Sequence, residues 1–325
     1  MAKVVYYNID GGLDYERALL AKWGVADLEL AELRETCGDV PNTASIADAD
    51  GLVVEYQKVT QEVMDALPRL KIVALQSIGY NNVDPAAATA HGICLTNVPG
   101  FCAEEVALHC VGLAIDLVRK ITFLDRAVRA GAWNPLLGYK TYRVTGATFG
   151  LVYFGAIPKT MVPMLQGLGL KILVYAPTKT AEYLAEFGCE KAETLDELLE
   201  RADFVSLHTP LSPQTFHLIG AAQLKRMKPS AFLINTARGS VVDESALVDA
   251  LRDGTIKGAG IDVIEDETNE RSELFTLENT VITPHAAFMS EDSFYDAREK
   301  ALAQLVLRLS KGERPEFLVN KDVKF

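Results

Sequence analysis

The sequence predicts an α/β protein organised around parallel sheet, and three features carry that prediction. Short apolar runs rich in β-branched residues alternate with capped helical segments, the order that βαβ units impose. No linker interrupts that rhythm. A chain of 325 residues, at roughly 150 per domain, has room for about two domains and buries enough surface to fold without disulfides or metals.

Strands are expected, in order, at Val4–Tyr7, Gly51–Val54, Ile72–Gln76, Phe149–Tyr153, Ile172–Tyr175, Phe204–Leu207, Phe232–Asn235, Ala259–Asp262 and Val281–Thr283. Each is too short for a helix. Between them, Asp84-Pro85 leads into Ala86 to Ala90 with Gly92 beyond, placing a cap and a proline at the start of a helix and a glycine past its end. Thr194-Leu195-Asp196-Glu197 forms a capping box for a helix reaching about Arg201. A further helix runs from Glu244 to Arg252 between Asp243 and Gly254. Glu104 to Arg119 is longer and more thoroughly apolar, and reads as a buried helix able to connect two domains. No internal repeat is present.

Lys plus Arg number 32 against 44 Asp plus Glu, a formal net charge of −12. That field repels phosphate backbones and anionic membranes, so no nucleic-acid or membrane partner is expected. The five cysteines, Cys37, Cys94, Cys102, Cys110 and Cys189, form no C-x-x-C. An odd, scattered set fits reduced thiols in a cytoplasmic protein. The start MAKVVYYNIDGG lacks a secretory pattern, and Ala107 to Val118 is interrupted by His109 and Asp116 before it could span a bilayer.

At Gly150-Leu-Val-Tyr153-Phe-Gly155-Ala156-Ile157-Pro158 a strand turns into a segment of helical spacing, Lys159 to Leu168, and a second strand follows. This is the β-turn-α-β context of a dinucleotide-binding Rossmann unit. Of the three fingerprint glycines only Gly155 is present; Tyr153 stands at the first position and Pro158 at the third. An ordinary strand-to-helix turn would read the same way. After the second strand come Ala176-Pro-Thr178-Lys179-Thr180, with no acid before Glu182. An acid at that place would hold the ribose hydroxyls of NAD and repel a 2′-phosphate. Its absence, with Thr178, Lys179 and Thr180 in reach of a phosphate, favours NADP over NAD, although a plain exposed loop with no selectivity is the alternative.

Six segments occur in fixed order: Ser77-Ile-Gly-Tyr-Asn-Asn-Val-Asp84, Asn97-Val-Pro-Gly-Phe101, Gly146-Ala-Thr-Phe-Gly150, His208-Thr-Pro-Leu211, Asn235-Thr-Ala-Arg-Gly239 with Val241-Val-Asp-Glu244, and Thr283-Pro-His-Ala-Ala287. Together they resemble the D-isomer-specific 2-hydroxyacid dehydrogenases over nearly the whole chain. The resemblance implies two doubly wound parallel-sheet domains, a Rossmann nucleotide domain (residues 99–287) inserted into a flavodoxin-like substrate domain (residues 1–98 plus 288–325). It also implies a homodimer, and a cofactor site that includes Tyr153, Gly155, Ala156, Ile157, Thr209, Pro210, Thr215, Thr236, Ala237 and Asp262.

Arg238 follows the strand ending at Asn235, at the carboxyl edge where open α/β sheets bind ligands. Its planar fork suits a substrate carboxylate, which a lysine could not hold with the same geometry. A surface arginine in a salt bridge is the bland alternative; the resemblance makes it the catalytic arginine. His285 lies after Val281-Ile-Thr-Pro, where an imidazolium could protonate the oxygen of a 2-oxo acid as hydride arrives at carbon. His91, His109 and His217 read as structural histidines, and His208 as structural within a cofactor-side turn. An acid is needed to orient His285. Glu265, Asp266 and Glu267, near Glu270, read in isolation as a solvated acidic loop. The resemblance lands the catalytic glutamate on Glu267, with Glu265 in reserve. Asp262 is either a neighbour of the nicotinamide or a carboxylate capping its loop. Ile78 and Gly79 match positions whose backbone N–H groups hold the substrate carboxylate in the family, and Phe101 would line the pocket. Leu75 departs from the basic residue many relatives carry nearby.

The expected function is NAD(P)-dependent reduction of a small 2-oxo acid to the (R)-2-hydroxy acid, without a metal, since no cysteine, histidine or carboxylate spacing suits zinc. A non-enzymatic nucleotide-sensing scaffold resembling a co-repressor is an alternative on the damaged fingerprint. Formate or phosphite oxidation is another; formate has no hydroxyl proton to remove, which leaves a His–Glu pair without work.

Overall fold

The computed structural model describes residues 1–36, 39–269 and 271–324. Cys37 and Glu270 lie outside the described residues. The chain forms two compact units, Met1–Phe101 with Ser290–Phe325, and Cys102–Met289. The divisions fall a few residues beyond residues 98 and 287. Asn97 N donates to Phe317 O and Val98 N to Ser77 O, which ties that stretch to the first unit, while Met289 N donates to Ala286 O within the second.

The first unit runs β1 (Ala2–Tyr7), α1 (Asp14–Trp23), β2 (Leu28–Leu33), β3 (Gly51–Val54), α2 (Gln61–Asp65), β4 (Ile72–Leu75), α3 (Pro85–Ala90) and β5 (Cys94–Thr96). All its strand pairs are parallel, in the order β2-β1-β3-β4-β5, which is the flavodoxin-like doubly wound order. The central strands β3 and β4 are buried at every residue, which is why Gly-Leu-Val-Val and Ile-Val-Ala-Leu show no polar alternation. Asp84 accepts from Ala86 N and Ala87 N and so caps α3 as its sequence predicts.

The second unit begins with α4 (Ala103–Arg119) and α5 (Ile121–Arg129), followed by β6 (Thr148–Val152), α6 (Ala156–Gly167), β7 (Lys171–Tyr175), α7 (Ala181–Ala185), β8 (Glu190–Lys191), α8 (Leu195–Arg201) and β9 (Phe204–Leu207). It continues through α9 (Ala221–Arg226), β10 (Phe232–Asn235), α10 (Glu244–Arg252), β11 (Gly258–Ile261) and β12 (Thr280–Ile282); α11 (Glu291–Leu305) then belongs to the first unit. The sheet order is β12-β11-β10-β9-β6-β7-β8, again parallel throughout. The order reverses between β6 and β9, so the crevice for a ligand opens beyond the carboxyl ends of those two strands. Helix α4 buries Val106, Ala107, Cys110, Leu113, Ala114, Leu117 and Val118 but leaves Leu108 exposed, so it is a one-faced helix and not an enclosed one.

The amino end of this sheet is pinned by aromatic rings. Phe149, Phe204 and Phe232 are paired in register, and their rings stack at 5.5 and 5.6 Å between centroids. Among the described residues no helix is long and apolar enough to cross a membrane. Burial raises the Cys110 and Cys189 thiols to about 11, which keeps both protonated and unreactive.

Candidate active site

Because every strand of the second unit is parallel, the segments leaving their carboxyl ends share one edge of the sheet. These are Tyr153–Ile157 after β6, Ala176–Thr180 after β7, His208–Thr215 after β9, Thr236–Gly239 after β10, Asp262–Glu267 after β11 and Thr283–Ala287 after β12.

His285 Nδ1 pairs with Glu267 Oε2 at 2.9 Å, both side chains partly exposed. Glu265, the reserve candidate, is engaged elsewhere: its carboxylate pairs with His217 Nε2, and its own N–H donates to Glu244 Oε2 at 3.0 Å. The expected solvated acidic loop is therefore a partnered one. Asp266 Oδ1 accepts from Thr268 Oγ1 at 2.6 Å and from Thr268 N at 3.0 Å, and the hydroxyl holds that carboxyl below the usual range.

The residue that builds the His285 loop is Asp262, buried at the end of β11. Its Oδ1 accepts from Thr283 Oγ1 at 2.5 Å and Ala286 N at 2.9 Å, and its Oδ2 from Ala287 N at 3.0 Å. Asp262 O also accepts from His285 N at 2.8 Å. Of the two readings of Asp262, the geometry displays the loop cap. These bonds hold His285 at φ 52°, a left-handed conformation that costs a non-glycine residue about 1–2 kcal/mol. His109 supports the same turn from α4, with Nε2 at 2.9 Å from Thr283 Oγ1 and 3.7 Å from Asp262 Oδ1. Sequence reasoning left His109 as a structural histidine; 174 residues separate it from Thr283, and no local pattern links them.

Arg238 leaves β10 in an extended conformation, and Asn235 arranges the turn by donating to Arg238 O at 3.0 Å and accepting from Ala237 N at 3.1 Å. Arg238 Nη1 donates to Ala237 O at 2.6 Å. Gly239 is required next, since a Cβ there would overlap the carbonyl of Ile264. Thr236 Oγ1 meets Cys110 Sγ at 3.1 Å, which anchors the same turn to α4.

A nucleotide's diphosphate needs a bare helix start, and α6 has one. Gly155 is its N-cap, no side chain caps it, and nothing lies within 4 Å of where a Cβ on Gly155 would stand. Ala156 and Ile157 supply the first N–H groups, and Pro158, buried in the first turn, has none to leave unsatisfied. Tyr153 takes φ 73°, the conformation the missing glycine would adopt, while its ring packs on the buried core. These residues fit a dinucleotide.

Around that helix start, the hydroxyls of Thr209 and Thr215 are turned onto Pro210 O at 3.1 and 2.6 Å, so they shape the β9 loop. His208 pairs through Nε2 with Ser206 Oγ at 2.9 Å, and loss of hydration pushes its pKa down to about 3. After β7, Ala176 is buried and Thr178 exposed, and Lys179 Nζ lies 5.2 Å from the centre of the Tyr183 ring. Thr180, the third phosphate candidate of that loop, instead accepts from Tyr183 N at 3.2 Å and caps α7.

Ile78, Gly79 and Phe101 belong to the first unit. Ile78 and Gly79 leave the carboxyl end of β4, where Asn97 Nδ2 donates to Ile78 O at 2.8 Å and Ser77 Oγ to Gly79 O at 2.7 Å. Phe101 is buried, with 8% of its surface exposed.

Residues 111–287 match the NAD-binding domain of the D-isomer specific 2-hydroxyacid dehydrogenases. The chain is 40% identical over 289 residues to the glyoxylate reductase of Thermococcus litoralis, covering 86% of each protein. Among solved structures it resembles a glyoxylate reductase from Paecilomyes thermophila, with a TM-score of 0.86 and 26% identity over 98% of each chain. It also resembles D-lactate dehydrogenase from Aquifex aeolicus in complex with NAD and lactic acid, with a TM-score of 0.84 and 28% identity over 98% of this chain and 99% of that one. With the family motifs, the parallel doubly wound sheets and this extent of similarity in hand, the chain belongs to the D-isomer-specific 2-hydroxyacid dehydrogenase family and is an NAD(P)-dependent oxidoreductase.

Proposed function

We propose that the protein reduces glyoxylate and other small 2-oxo acids, giving the (R)-2-hydroxy acid wherever the product is chiral. Its relatives include glyoxylate reductases, and its second unit matches an NAD-binding domain. The observation that most supports the finer reading is the His285–Glu267 pair at 2.9 Å, carried on the same sheet edge as Arg238. A nicotinamide bound there supplies hydride to C2. Arg238 holds the substrate carboxylate and polarises the adjacent carbonyl. Glu267 fixes the His285 ring through Nδ1, which leaves Nε2 to give its proton to the oxygen that gains charge. In the first unit, Ile78 and Gly79 offer backbone N–H groups suited to a carboxylate, and Phe101 offers apolar surface.

The cofactor reading is NADPH in preference to NADH, supported by the absence of an acid at Ala176 and by Thr178 and Lys179 beside it. The test is steady-state oxidation of both reduced cofactors against glyoxylate, pyruvate, hydroxypyruvate, 2-oxoisocaproate, phenylpyruvate and 2-oxoglutarate, with chiral analysis of the products. The expected result is (R)-lactate from pyruvate, a higher kcat/KM with NADPH, and a shift toward NADH in Ala176→Asp, whose carboxylate repels the 2′-phosphate. An (S)-product or inactivity across the panel overturns the function; preference for NADH overturns the cofactor assignment alone.

Tyr153→Gly is expected to tighten cofactor binding by about three- to tenfold, because a Cβ leaves the turn where backbone must approach the diphosphate, while the ring already packs on the core. Fluorescence titration with either reduced cofactor reads this directly. Looser binding would make the tyrosine ring a contact to the cofactor.

The same reading extends to a homodimer. In the second unit, α5 has no buried residue, and Trp133 and Leu136 are 87% and 86% exposed, apolar surface that a second copy could cover.

A further inference from the structure

Glu267 is carried on a segment without helix or strand, yet its carboxylate must stay within a hydrogen bond of His285 to orient it. We propose that a second histidine–glutamate pair, His217 with Glu265, together with Glu244 and Ser272, forms a clasp that positions Glu267. This inference rests on the reading of His285 as proton donor. None of the four clasp residues touches the reacting atoms in that reading; they act through Glu267.

The clasp joins three separate pieces of the second unit. His217 sits in the loop after β9, itself at φ 49° and fixed by His217 N donating to Ser240 O at 2.9 Å. Its ring stacks on Phe216 at 3.9 Å between centroids, and its Nε2 meets Glu265 Oε1. Glu244 opens α10 and makes a reciprocal pair with Glu265. Glu265 N donates to Glu244 Oε2 at 3.0 Å, and Glu244 N donates to Glu265 Oε2 at 3.4 Å. Ser272 Oγ completes the set by donating to Glu244 Oε1 at 2.5 Å. Beneath it, Gly239 lets the 264–265 backbone come into contact with the turn that carries Arg238.

Two carboxylates drawn this close repel each other, and the geometry answers that repulsion with two backbone N–H groups, a hydroxyl and the His217 ring. Such an arrangement is more than an acidic loop requires to stay in solvent. Its mechanical consequence follows from chain length. Only Asp266 separates Glu265 from Glu267, so a residue-scale shift of Glu265, about 3.5 Å at most per residue of chain, moves Glu267 out of hydrogen-bond range. Asp266 is itself locked in a turn by Thr268, which passes displacement on instead of absorbing it.

The test compares Glu265→Ala, Glu267→Gln and the double variant, reading kcat and KM for 2-oxo acid reduction, cofactor Kd and Tm. Glu265→Ala is expected to lower kcat by about ten- to a hundredfold, the scale of a small misplacement of a catalytic group. KM for the 2-oxo acid and cofactor Kd should stay as in the wild type, since the clasp binds neither. The double variant should match Glu267→Gln alone, because the clasp has no work once the carboxylate is gone. A merely structural role would lower Tm and raise KM and cofactor Kd as kcat falls, and that result overturns the proposal. So do additive losses in the double variant. If Glu267→Gln leaves kcat unchanged, the proton-donor reading fails; if it lowers kcat while Glu265→Ala does not, the clasp alone fails. Should Glu265→Ala not fold, His217→Asn removes the ring while keeping a residue that tolerates positive φ. The same loss confined to kcat is expected there, and its absence counts against the clasp equally.

Discussion

His285→Ala is expected to lower kcat by about two to four orders of magnitude with cofactor affinity nearly intact, the range that positioned general acids contribute. The size follows from the lack of a substitute. The side chain facing the His285 ring from the β11 loop is Glu267, a carboxylate that cannot supply the proton once ionised, and His109 is committed below to Thr283 and Asp262. The fold should survive, because the bonds that shape the turn run from Asp262 to the backbone of residues 285–287 and to the Thr283 hydroxyl, not to the imidazole. Alanine inherits the left-handed backbone, so His285→Asn, which tolerates that conformation better, serves as a second variant. Stopped-flow reduction with a saturating cofactor measures the chemical step. Retention of most activity on every 2-oxo acid would remove His285 from the mechanism.

Arg238→Lys should cost about a hundred- to a thousandfold in kcat/KM, the loss seen when one preorganised donor to a developing oxyanion is removed. Both parameters should suffer. A lysine keeps the charge but replaces a planar fork, so the carboxylate loses its paired contact and the carbonyl its polarising neighbour. The turn is set by Asn235, which bonds backbone atoms of residues 237 and 238, and that framework does not depend on the guanidinium. Cofactor binding measured alone should therefore be unchanged. Unaltered KM and kcat would return Arg238 to an ordinary surface cation.

What the sequence discloses and what it conceals divide along physical lines. The strands it reveals, such as β3, β4, β9 and β10, are buried at every residue, so their apolar runs are uninterrupted. Those it hides are at sheet edges. Strand β2 reads Leu-Glu-Leu-Ala-Glu-Leu, half exposed and of helical composition, while β5 and β8 are three and two residues long. The capped helices α3, α8 and α10 declare themselves through Asp84, Thr194 and Asp243. Helix α5, with no buried residue, is bounded instead by Lys120 in a left-handed conformation, which no composition rule anticipates. At the candidate site, Arg238, His285 and Glu267 can be proposed from sequence because each sits in a short motif beside a strand end. The partners that hold them are not, since His109 with Thr283, Cys110 with Thr236 and His217 with Glu265 meet only through the fold.

The phenylalanine stack across β6, β9 and β10 has a consequence for where this protein can change. It fastens the sheet at the end remote from the loops of the candidate site, while Tyr153, His217 and His285, all held at positive φ, lie beyond the other end. Cohesion and strain are thus lodged at opposite ends of the same strands. Substitutions that relax the strained turns are the ready source of added stability, and they fall in the loops of the candidate site. Robustness is more safely increased among the rings. Specificity, in turn, can drift through the loops while the rings keep the strands aligned, so divergence in substrate need not pass through unfolded intermediates.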